Sequence, residues 1–306
     1  MCVHYLFFKS KKPFLFALVI FSLCGCGKEK EITPAPVIDT VSKPQPVIIP
    51  AAKPVISIRY HLLCMDSAAI AALDSASRGN IKIILALNRI DEKYLLRQDT
   101  LVMPDTFLHE LKLYSPFPDS IPALQEIDKI IFFSYYAQAF AAYGNGLLIR
   151  WGPVNMGKRS TPTPRGLFHT NWKAKQTKST VNEEWIMDWY FNIENRRGIS
   201  MHEYDLPGYP VSHSCIRMNE EDAYFIYHWA DQWILEDTSK IAAYGTPLVI
   251  FGEYPFGNRK PWFMLTDESK ALTISADSLT ATVKEFLPLI LGRQAKRDSV
   301  LSGIPL

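Results

Sequence analysis

The chain has 306 residues, of which 33 are lysine or arginine and 31 are aspartate or glutamate, and its formal net charge is +2. A charge this close to balance excludes the strongly basic surface that nucleic-acid-binding proteins carry. About 250 residues remain after the N-terminal segments described next, which is enough for one or two hydrophobic cores.

The N-terminus has the pattern of a cleaved secretory signal. Lysines lie within positions 9–12, an uncharged apolar run follows at 14–23, and the stretch LCGC ends at Cys26. The apolar run is shorter than the roughly 20 residues of a membrane-spanning helix, so residues 1–25 are predicted to be removed. LCGC resembles the lipobox of bacterial lipoproteins, which implies that Cys26 is a lipid anchor; an ordinary signal-peptide cysteine is the alternative. The expected location is the cell envelope, lipid-anchored and facing the periplasm.

Residues 26–55 have the composition of an extended tether. Prolines recur between positions 34 and 54. Proline fixes φ and lacks a backbone N–H, so a segment this rich in it forms neither helix nor central strand. We expect the tether to hold the folded part away from the membrane, at roughly 3 Å per residue.

Residues 56–105 are predicted to form a small β-α-α-β module. The strand-like run ISIRYHLL precedes an alanine-rich helix that begins after Asp66, a second helix in IKIILALNRID and a strand in DTLVMP. This order, with Asn88 after the second helix, resembles a LysM module without its usual Gly-Asp-Thr-Leu turn. The resemblance implies binding of peptidoglycan glycan strands; a subdomain that only packs on its neighbour is the alternative.

Residues 120–252 have a mainly β pattern, which predicts a sandwich or barrel. A helix is predicted from Glu220 to Trp233, because Asn219 can cap it and three acids lie in its first turn. Residues 253–306 are predicted to be an extension whose helical segment is interrupted at Pro288. The runs rich in β-branched and aromatic residues are KIIFFSYYAQAFAAYG, GLLIRWG, DWYFNI, GISMHEY and PLVIFG.

Two cysteines remain in the predicted mature folded part. Cys2 and Cys24 leave with the signal and Cys26 carries lipid, so Cys64 and Cys215 are left. Cys64 lies in an apolar strand-like run and is expected to be a small buried side chain. A disulfide between the two is the alternative.

Cys215 lies in the stretch GYPVSHSCIRM, just before the helix predicted at Glu220. A cysteine nucleophile needs a base or cation nearby and amide donors for the oxyanion. Residues i and i+2 of a strand share a face, so His213, Cys215 and Arg217 can point into one cleft. At this point a disulfide half, a metal ligand and a packed apolar side chain remain open.

Three motifs, in chain order, resemble the L,D-transpeptidase (YkuD) catalytic domain. They are TPTPRGLF at 161–168, GISMH at 198–202 and PGYPVSHSCIRM at 207–218. The family pattern is Thr-Pro-Thr-Pro-x-Gly, a lone histidine, then Ser-His-Gly-Cys-[Ile/Val]-Arg, and the resemblance covers about residues 125–252. It implies an L,D-transpeptidase-type β-sandwich and an enzyme without a cofactor. Such enzymes join peptidoglycan stem peptides, or attach proteins to them, through a cysteine acyl-enzyme formed with release of terminal D-alanine.

The resemblance assigns roles residue by residue. Cys215 would be the nucleophile, and His202 the general base with its other ring nitrogen held by a backbone carbonyl. His213 and the amides of Ser214 and Cys215 would line the oxyanion region. Arg217 would orient the site or meet a substrate carboxylate.

Supporting positions follow from the same resemblance. Ser212 would support the loop by a local hydrogen bond, and Gly166 with Thr163 would shape a loop on the substrate side. Trp189 and Tyr190 would wall the cleft, with ordinary core packing as the alternative.

The chain departs from the family pattern in two places. Ser214 stands where the family has glycine, and serine tolerates a positive φ less well, at a cost of about 1 kcal/mol unless the turn differs. The loop between His202 and His213 is shorter than usual, which changes the shape of the cleft and therefore the substrate preference.

Other readings of these residues remain open. His202, His213 and Cys215, with Glu203 or Asp205, are types that ligate zinc, although no metal is expected from their spacing. A hydrolase of the same fold would pass the acyl group to water and cut stem peptides or protein-peptidoglycan links. A non-catalytic lipoprotein would only bind peptidoglycan.

Overall fold

The computed structural model describes residues 57–68, 79–178 and 184–303. The predicted signal, the Cys26 anchor, the tether and most of the first module helix lie outside the described residues. Within the described part, no helix combines the length and apolar character that a membrane span requires.

The first described elements are two short antiparallel strands and the helix between them. Strand β1 (Tyr60–Cys64) pairs with β2 (Thr100–Pro104), and helix α1 (Ile81–Asn88) lies between them in the chain. The Asn88 side chain donates to the carbonyl of Val102 at 2.9 Å and accepts from its N–H at 2.8 Å, which joins the end of α1 to β2. The LysM-like character of this region stays a prediction.

Cys64 is exposed and its thiol is free, so the expectation of a buried side chain is wrong. Among the described residues, strand β1 pairs with β2 alone, and most of the β1 residues are accessible to solvent. Cys215 is also a free cysteine, so the two thiols do not form a disulfide.

Nine strands form one mixed sheet in the order β6-β13-β3-β4-β5-β10-β9-β8-β7, and this bears out the predicted mainly β fold. Two further strands, β11 and β12, form a separate pair within the part of the chain that the structure describes. The bounds are β3 (Ile130–Ser134), β4 (Ala139–Gly144), β5 (Leu147–Asn155), β6 (Gly166–His169), β7 (Lys173–Lys178), β8 (Ile186–Glu194), β9 (Ile199–Glu203), β10 (Ile216–Met218), β11 (Ile234–Leu235), β12 (Ile241–Ala243) and β13 (Pro247–Phe251).

The sheet is buried on both faces because apolar side chains alternate along its central strands. Ile131 and Phe133 of β3 belong to one hydrophobic cluster, which also contains Phe191 of β8 and Met201 of β9. The two halves of the sheet therefore share a core, as in a sandwich. Phe132, on the opposite face of β3, belongs to the second cluster.

Helix α2 (Glu220–Trp229) starts where the sequence predicts it and ends four residues earlier. The Asn219 side chain accepts from the Asp222 N–H at 2.9 Å and caps the helix. Past Trp229 the chain turns away, because the Asp231 N–H donates to the Thr246 hydroxyl at 2.9 Å. The helix therefore gives way to a pairing with the segment before β13.

The C-terminal extension forms two helices that pack on the second cluster. They are α3 (Ala276–Val283) and α4 (Leu287–Ser302). Pro288 lies in the first turn of α4, where its missing N–H costs no hydrogen bond, so the predicted interruption is present. Ile290 of α4 is buried in the second cluster, to which Phe132 of β3 also belongs. The extension thus shares a core with the sheet.

Candidate active site

A cavity of about 310 Å³ opens beside the cysteine motif. Strands β7, β8 and β9 and the segment that leads into β10 provide its walls. Five of the residues singled out from the sequence line it: Cys215, His202, His213, Ser212 and Arg217. Tyr190 also lines the cavity, which agrees with the expectation that it walls the cleft.

Gly166 and Trp189 do not line this cavity. Gly166 begins β6 and pairs with Ile250 of β13, so the structure does not support a role in the substrate-side loop. Trp189 points to the other face of the sheet, where its ring lies 4.8 Å from that of Tyr224. Trp189 has a φ of 52°, which breaks the regular alternation of β8, and its ring also lies 5.4 Å from that of Tyr227, so it packs on α2 and not in the cleft with Tyr190.

Cys215 and His202 are brought together by parallel pairing between β9 and β10. Ile216 pairs with Met201 and Arg217 with His202. Residues 215 and 217 share one face of β10, so Cys215 comes next to Ser200 and Arg217 next to His202. The Ser200 hydroxyl donates to Cys215 Sγ at 3.4 Å.

His202 is a buried, neutral histidine. Its Nδ1 lies 2.8 Å from the carbonyl oxygen of Glu203, which can only accept, so Nδ1 carries the proton and Nε2 is free to accept one. Burial lowers the pKa of His202 to about 4; the hydrogen bond to Glu203 opposes this shift and the charge of Arg217 adds to it. The Tyr190 ring stacks on the imidazole with 6.4 Å between ring centroids.

Ser200 is a site residue that the sequence reasoning missed. It is fully buried, and its hydroxyl donates to Cys215 Sγ. Burial raises the pKa of Tyr190, which lines the same cavity, so the Tyr190 hydroxyl stays protonated. The sequence pattern could have indicated Ser200, because it lies two positions before His202 and residues i and i+2 of a strand share a face.

The Thr-Pro-Thr-Pro segment holds the backbone of the cysteine loop. The hydroxyl of Thr161 donates to the Ser212 carbonyl at 3.1 Å, and that of Thr163 donates to the Ser214 carbonyl at 2.9 Å. Thr163 also accepts from the N–H of Gly157, at 2.9 Å. A Cβ at Gly157 would lie 2.2 Å from the Thr161 carbonyl oxygen, so this close approach requires glycine.

Ser214 adopts the positive φ that the family's glycine would permit. Its φ is 92°, so the turn is kept despite the Cβ atom. The Ser214 hydroxyl donates to the Thr161 carbonyl at 3.2 Å, and its own carbonyl accepts from Thr163. These two hydrogen bonds offset the backbone strain.

His213 is exposed at the mouth of the cavity, next to a lysine that the sequence reasoning did not single out. Lys158 Nζ lies 3.0 Å from its Nε2, and the ring of Trp185 lies 5.4 Å away. Desolvation lowers the pKa of His213, and the charges of Lys158 and Arg217 add to the shift. His213 is thus a neutral donor or acceptor at neutral pH.

The cavity is positively charged. Lys178, Arg197 and Arg217 line it, and its lining within the described part of the chain contains no aspartate or glutamate. The Arg217 guanidinium lies over the Tyr204 ring, 4.5 Å from its centroid. Such a lining attracts ligands that carry carboxylates.

No group of three or more histidine, cysteine, aspartate or glutamate side chains among the described residues is placed to hold a metal ion. The zinc reading of His202, His213 and Cys215 therefore finds no support in the arrangement of these side chains.

Residues 128–250 match the family model of the L,D-transpeptidase catalytic domain, YkuD. Among solved structures, the chain is similar to an L,D-transpeptidase of Stackebrandtia nassauensis, with 18% identity and a TM-score of 0.34 over 42% of this chain and 57% of that one. It is also similar to an L,D-transpeptidase of Mycobacterium smegmatis, with 20% identity and a TM-score of 0.33 over 41% of this chain and 59% of that one. An L,D-transpeptidase of Mycobacterium tuberculosis H37Rv has 20% identity and a TM-score of 0.32, over 41% of this chain and 58% of that one.

The chain thus covers less than two thirds of each of these structures. The comparison with curated proteins gave no match.

Proposed function

We propose that the protein acts on peptidoglycan stem peptides by acyl transfer through Cys215, because residues 128–250 match the family model of the L,D-transpeptidase (YkuD) catalytic domain. The acyl donor is a tetrapeptide stem, whose terminal D-alanine leaves. The acyl group then passes to the amine of a second stem or of a protein.

In the first half-reaction, His202 Nε2 takes the thiol proton and Cys215 Sγ attacks the carbonyl carbon of the third residue of the stem. The new S–C bond replaces the C–N bond to D-alanine, and the same proton returns to the departing amine. Amide N–H groups of the turn at Ser214 and Cys215 stabilise the oxyanion. In the second half-reaction an amine attacks the carbonyl carbon of the thioester. The new C–N bond replaces the S–C bond, and His202 Nε2 passes the amine proton to the sulfur, which regenerates the Cys215 thiol.

One observation carries the proposal: the free thiol of Cys215 and the neutral imidazole of His202 line one cavity in a family-matched domain. The hydrogen bond from Nδ1 to the Glu203 carbonyl supports the base role, because it leaves Nε2 as the only proton acceptor of the ring. The thiol is also oriented by Ser200, 3.4 Å away.

The positive lining supports a donor with several carboxylates. A tetrapeptide stem carries a C-terminal carboxylate and side-chain carboxylates, and Arg217 and Lys178 line the cavity. Arg197 also lines it but is ion-paired with Glu194 at 3.2 Å. We assign Arg217 to a substrate carboxylate.

The location and the N-terminal module are proposed from the sequence. The signal at residues 1–25 and the lipobox cysteine Cys26 support a lipid-anchored protein in the envelope, facing the periplasm, where its substrate lies. The LysM-like segment supports a contact with glycan strands.

The test is product analysis by mass spectrometry of the purified chain incubated with disaccharide-tetrapeptide under reducing conditions. A cross-linked dimer with loss of one D-alanine is expected from wild type and from Cys64→Ser, which removes the exposed thiol, but not from Cys215→Ala. Formation of tripeptide that requires Cys215, without any dimer, would indicate a hydrolase and not a transferase. Absence of every product would contradict catalysis and favour a binding protein.

A further inference from the structure

The loop that joins His202 to Cys215 is held by the N-terminal module. The N–H of Asp91, just after α1, donates to the Leu206 carbonyl at 2.9 Å, and the Leu206 N–H donates back to the Asp91 carboxylate at 2.7 Å. Ile90 forms an antiparallel bridge with Pro207. The module therefore extends the loop by a short stretch of β-like pairing.

Side chains of the same module segment reach the loop on either side of this pairing. The Tyr94 hydroxyl donates to the Asp205 carboxylate at 2.7 Å, and Lys93 forms an ion pair with the same carboxylate. A Cβ at Gly208 would lie 2.8 Å from Ile90 Cγ2, so the two segments are in close contact. The loop is anchored at several consecutive positions.

The anchored residues lead directly to the site. Tyr204 and Asp205 both act on Arg217: the Tyr204 ring lies under its guanidinium, and the Asp205 charge stabilises it. The Tyr204 ring also meets the His202 imidazole edge-on, with centroids 6.0 Å apart. A shift of the loop would therefore move the groups that pack on His202 and Arg217.

We propose that Asp91 and Tyr94 are positioning residues for the reaction at Cys215: they hold the shortened 204–211 loop, and through it Tyr204, in the geometry that aligns His202 and Arg217. The reaction itself rests on the function proposed above. In this proposal the module supports the active site by holding the 204–211 loop, and this role is independent of any binding of glycan by the module.

Single substitutions can distinguish a role of Asp91 and Tyr94 in positioning the loop from a role in which they only attach the module to the rest of the protein. Within the described residues, the Asp91 carboxylate has Leu206 N–H as its only hydrogen-bond donor and makes no bond that caps the following 3₁₀ turn. Asp91→Ala removes this acceptor, whereas Asp91→Asn keeps an oxygen for it. Tyr94→Phe removes only the hydroxyl. Lys82→Ala is the matched control, because Lys82 pairs with Glu221 of α2 at 2.5 Å, away from the loop.

Two readouts on the full-length chain test the proposal. The first is kcat and KM for tetrapeptide turnover. We expect Asp91→Ala to lower kcat about 10-fold and Tyr94→Phe about 3-fold, with KM changed less than about 2-fold, because misaligned catalytic groups slow the chemical step. Asp91→Asn should restore kcat to within about 2-fold of wild type, and Lys82→Ala should leave it unchanged.

The second readout needs no substrate, so it stands even if the proposed function fails. It is the rate at which iodoacetamide alkylates Cys215, followed on the Cys215 peptide by mass spectrometry. We expect Asp91→Ala to change this rate about 3-fold or more and Asp91→Asn and Lys82→Ala to leave it near wild type. Equal effects of Asp91→Ala and Lys82→Ala, or no effect of Asp91→Ala on either readout in the folded protein, would overturn the proposal.

Discussion

The hydroxyl of Ser200 lies 3.4 Å from the thiol of Cys215 and points its hydrogen at the sulfur. The parallel pairing of β9 with β10 produces this contact, since it sets residue 200 opposite residue 215. Ser200 is fully buried, so its hydroxyl is held in place beside the thiol. A fixed donor of this kind restricts where the sulfur lies when a carbonyl carbon approaches.

Ser200→Ala should therefore slow acylation of Cys215. We expect a loss of about 10-fold in kcat/KM, with about 1 kcal/mol of unfolding free energy lost through the missing hydrogen bond to Cys215. Ser275→Ala is the control, because Ser275 caps α3 by accepting from the Ser278 N–H at 3.1 Å and its loss costs a similar free energy. Steady-state kinetics with urea denaturation would distinguish them; equal activity losses would contradict a role for Ser200 at the thiol.

His202→Ala should reduce acylation by a factor of about 10² to 10⁴, the range for a lost general base. His202→Ala also leaves a cavity, so His202→Gln, which fills more of the volume, should show a similar loss while folding more stably. Stopped-flow measurement of acylation provides the rates. An unchanged rate in a folded His202→Gln protein would rule His202 out as the base.

Stability should fall at acidic pH through buried histidines. The pKa values of His202 and His169 are lowered to about 4 and about 3, so between pH 6.5 and these values the unfolded chain binds protons that the native state does not. The unfolding free energy is then unaffected above pH 6.5 and decreases as the pH falls below it. Protonation linked to His202 alone should lower the unfolding free energy by about 3 kcal/mol in total once the pH has fallen below the pKa of His202 in the native state.

Urea denaturation at pH 7.5 and pH 5 measures this effect. His202→Gln and His169→Gln should each reduce the difference between the two pH values. A difference that neither variant alters would contradict the assignment to these two side chains.

Ser214 offers a test of backbone strain. Ser214→Ala keeps the Cβ at φ 92° and loses the hydroxyl that bonds to Thr161, so we expect a loss of about 1 kcal/mol of unfolding free energy. Ser214→Gly loses the same bond but relieves the strain, so it should remain within about 0.5 kcal/mol of wild type and keep its activity. Chemical denaturation measures both; a Gly variant less stable than the Ala variant would contradict the account.

Arg89 should be a large contributor to stability. It is buried, with burial lowering its pKa to about 9, and it donates to the carbonyls of Ala86, Leu87 and Ala137 while lying 5.5 Å from the Trp262 ring. It thereby joins the N-terminal module, the sheet and the C-terminal extension.

Arg89→Ala removes the side-chain donors to those carbonyls, of which that of Ala86 keeps only the N–H of residue 89 at 3.4 Å, and opens a cavity, so we expect a loss of about 3 kcal/mol or more. The exposed Arg196 is the control, and Arg196→Ala should cost less than about 0.5 kcal/mol. A small effect of Arg89→Ala in urea denaturation would contradict this role.

The sequence was sufficient for those features that depend on local patterns. Alternation predicted the strands, Asn219 predicted the start of α2, and the motif around Cys215 predicted which side chains share the cavity with His202. Features that depend on which segments pair or pack together in the folded protein could not be predicted from the sequence. Cys64 has an apolar local sequence but, among the described residues, lies in a strand paired on one side only. Trp189 packs on α2, because its φ of 52° breaks the alternation of β8.

Contacts between distant segments were the other gap. Nothing in the local sequence of Asp91 indicates that it accepts from Leu206, 115 positions later. The same is true of Lys158, which reaches His213 only because Gly157 pairs with Ser212. These pairings follow from the tertiary fold.

The central claim is that Cys215 becomes acylated. The most direct measurement is rapid-quench intact-mass spectrometry of the Cys64→Ser protein mixed with disaccharide-tetrapeptide, followed by peptide mapping. The account predicts a transient adduct on Cys215 with the mass of the donor minus D-alanine, absent from the Cys64→Ser, Cys215→Ala protein. Turnover of tetrapeptide by the protein that lacks Cys215 would contradict it.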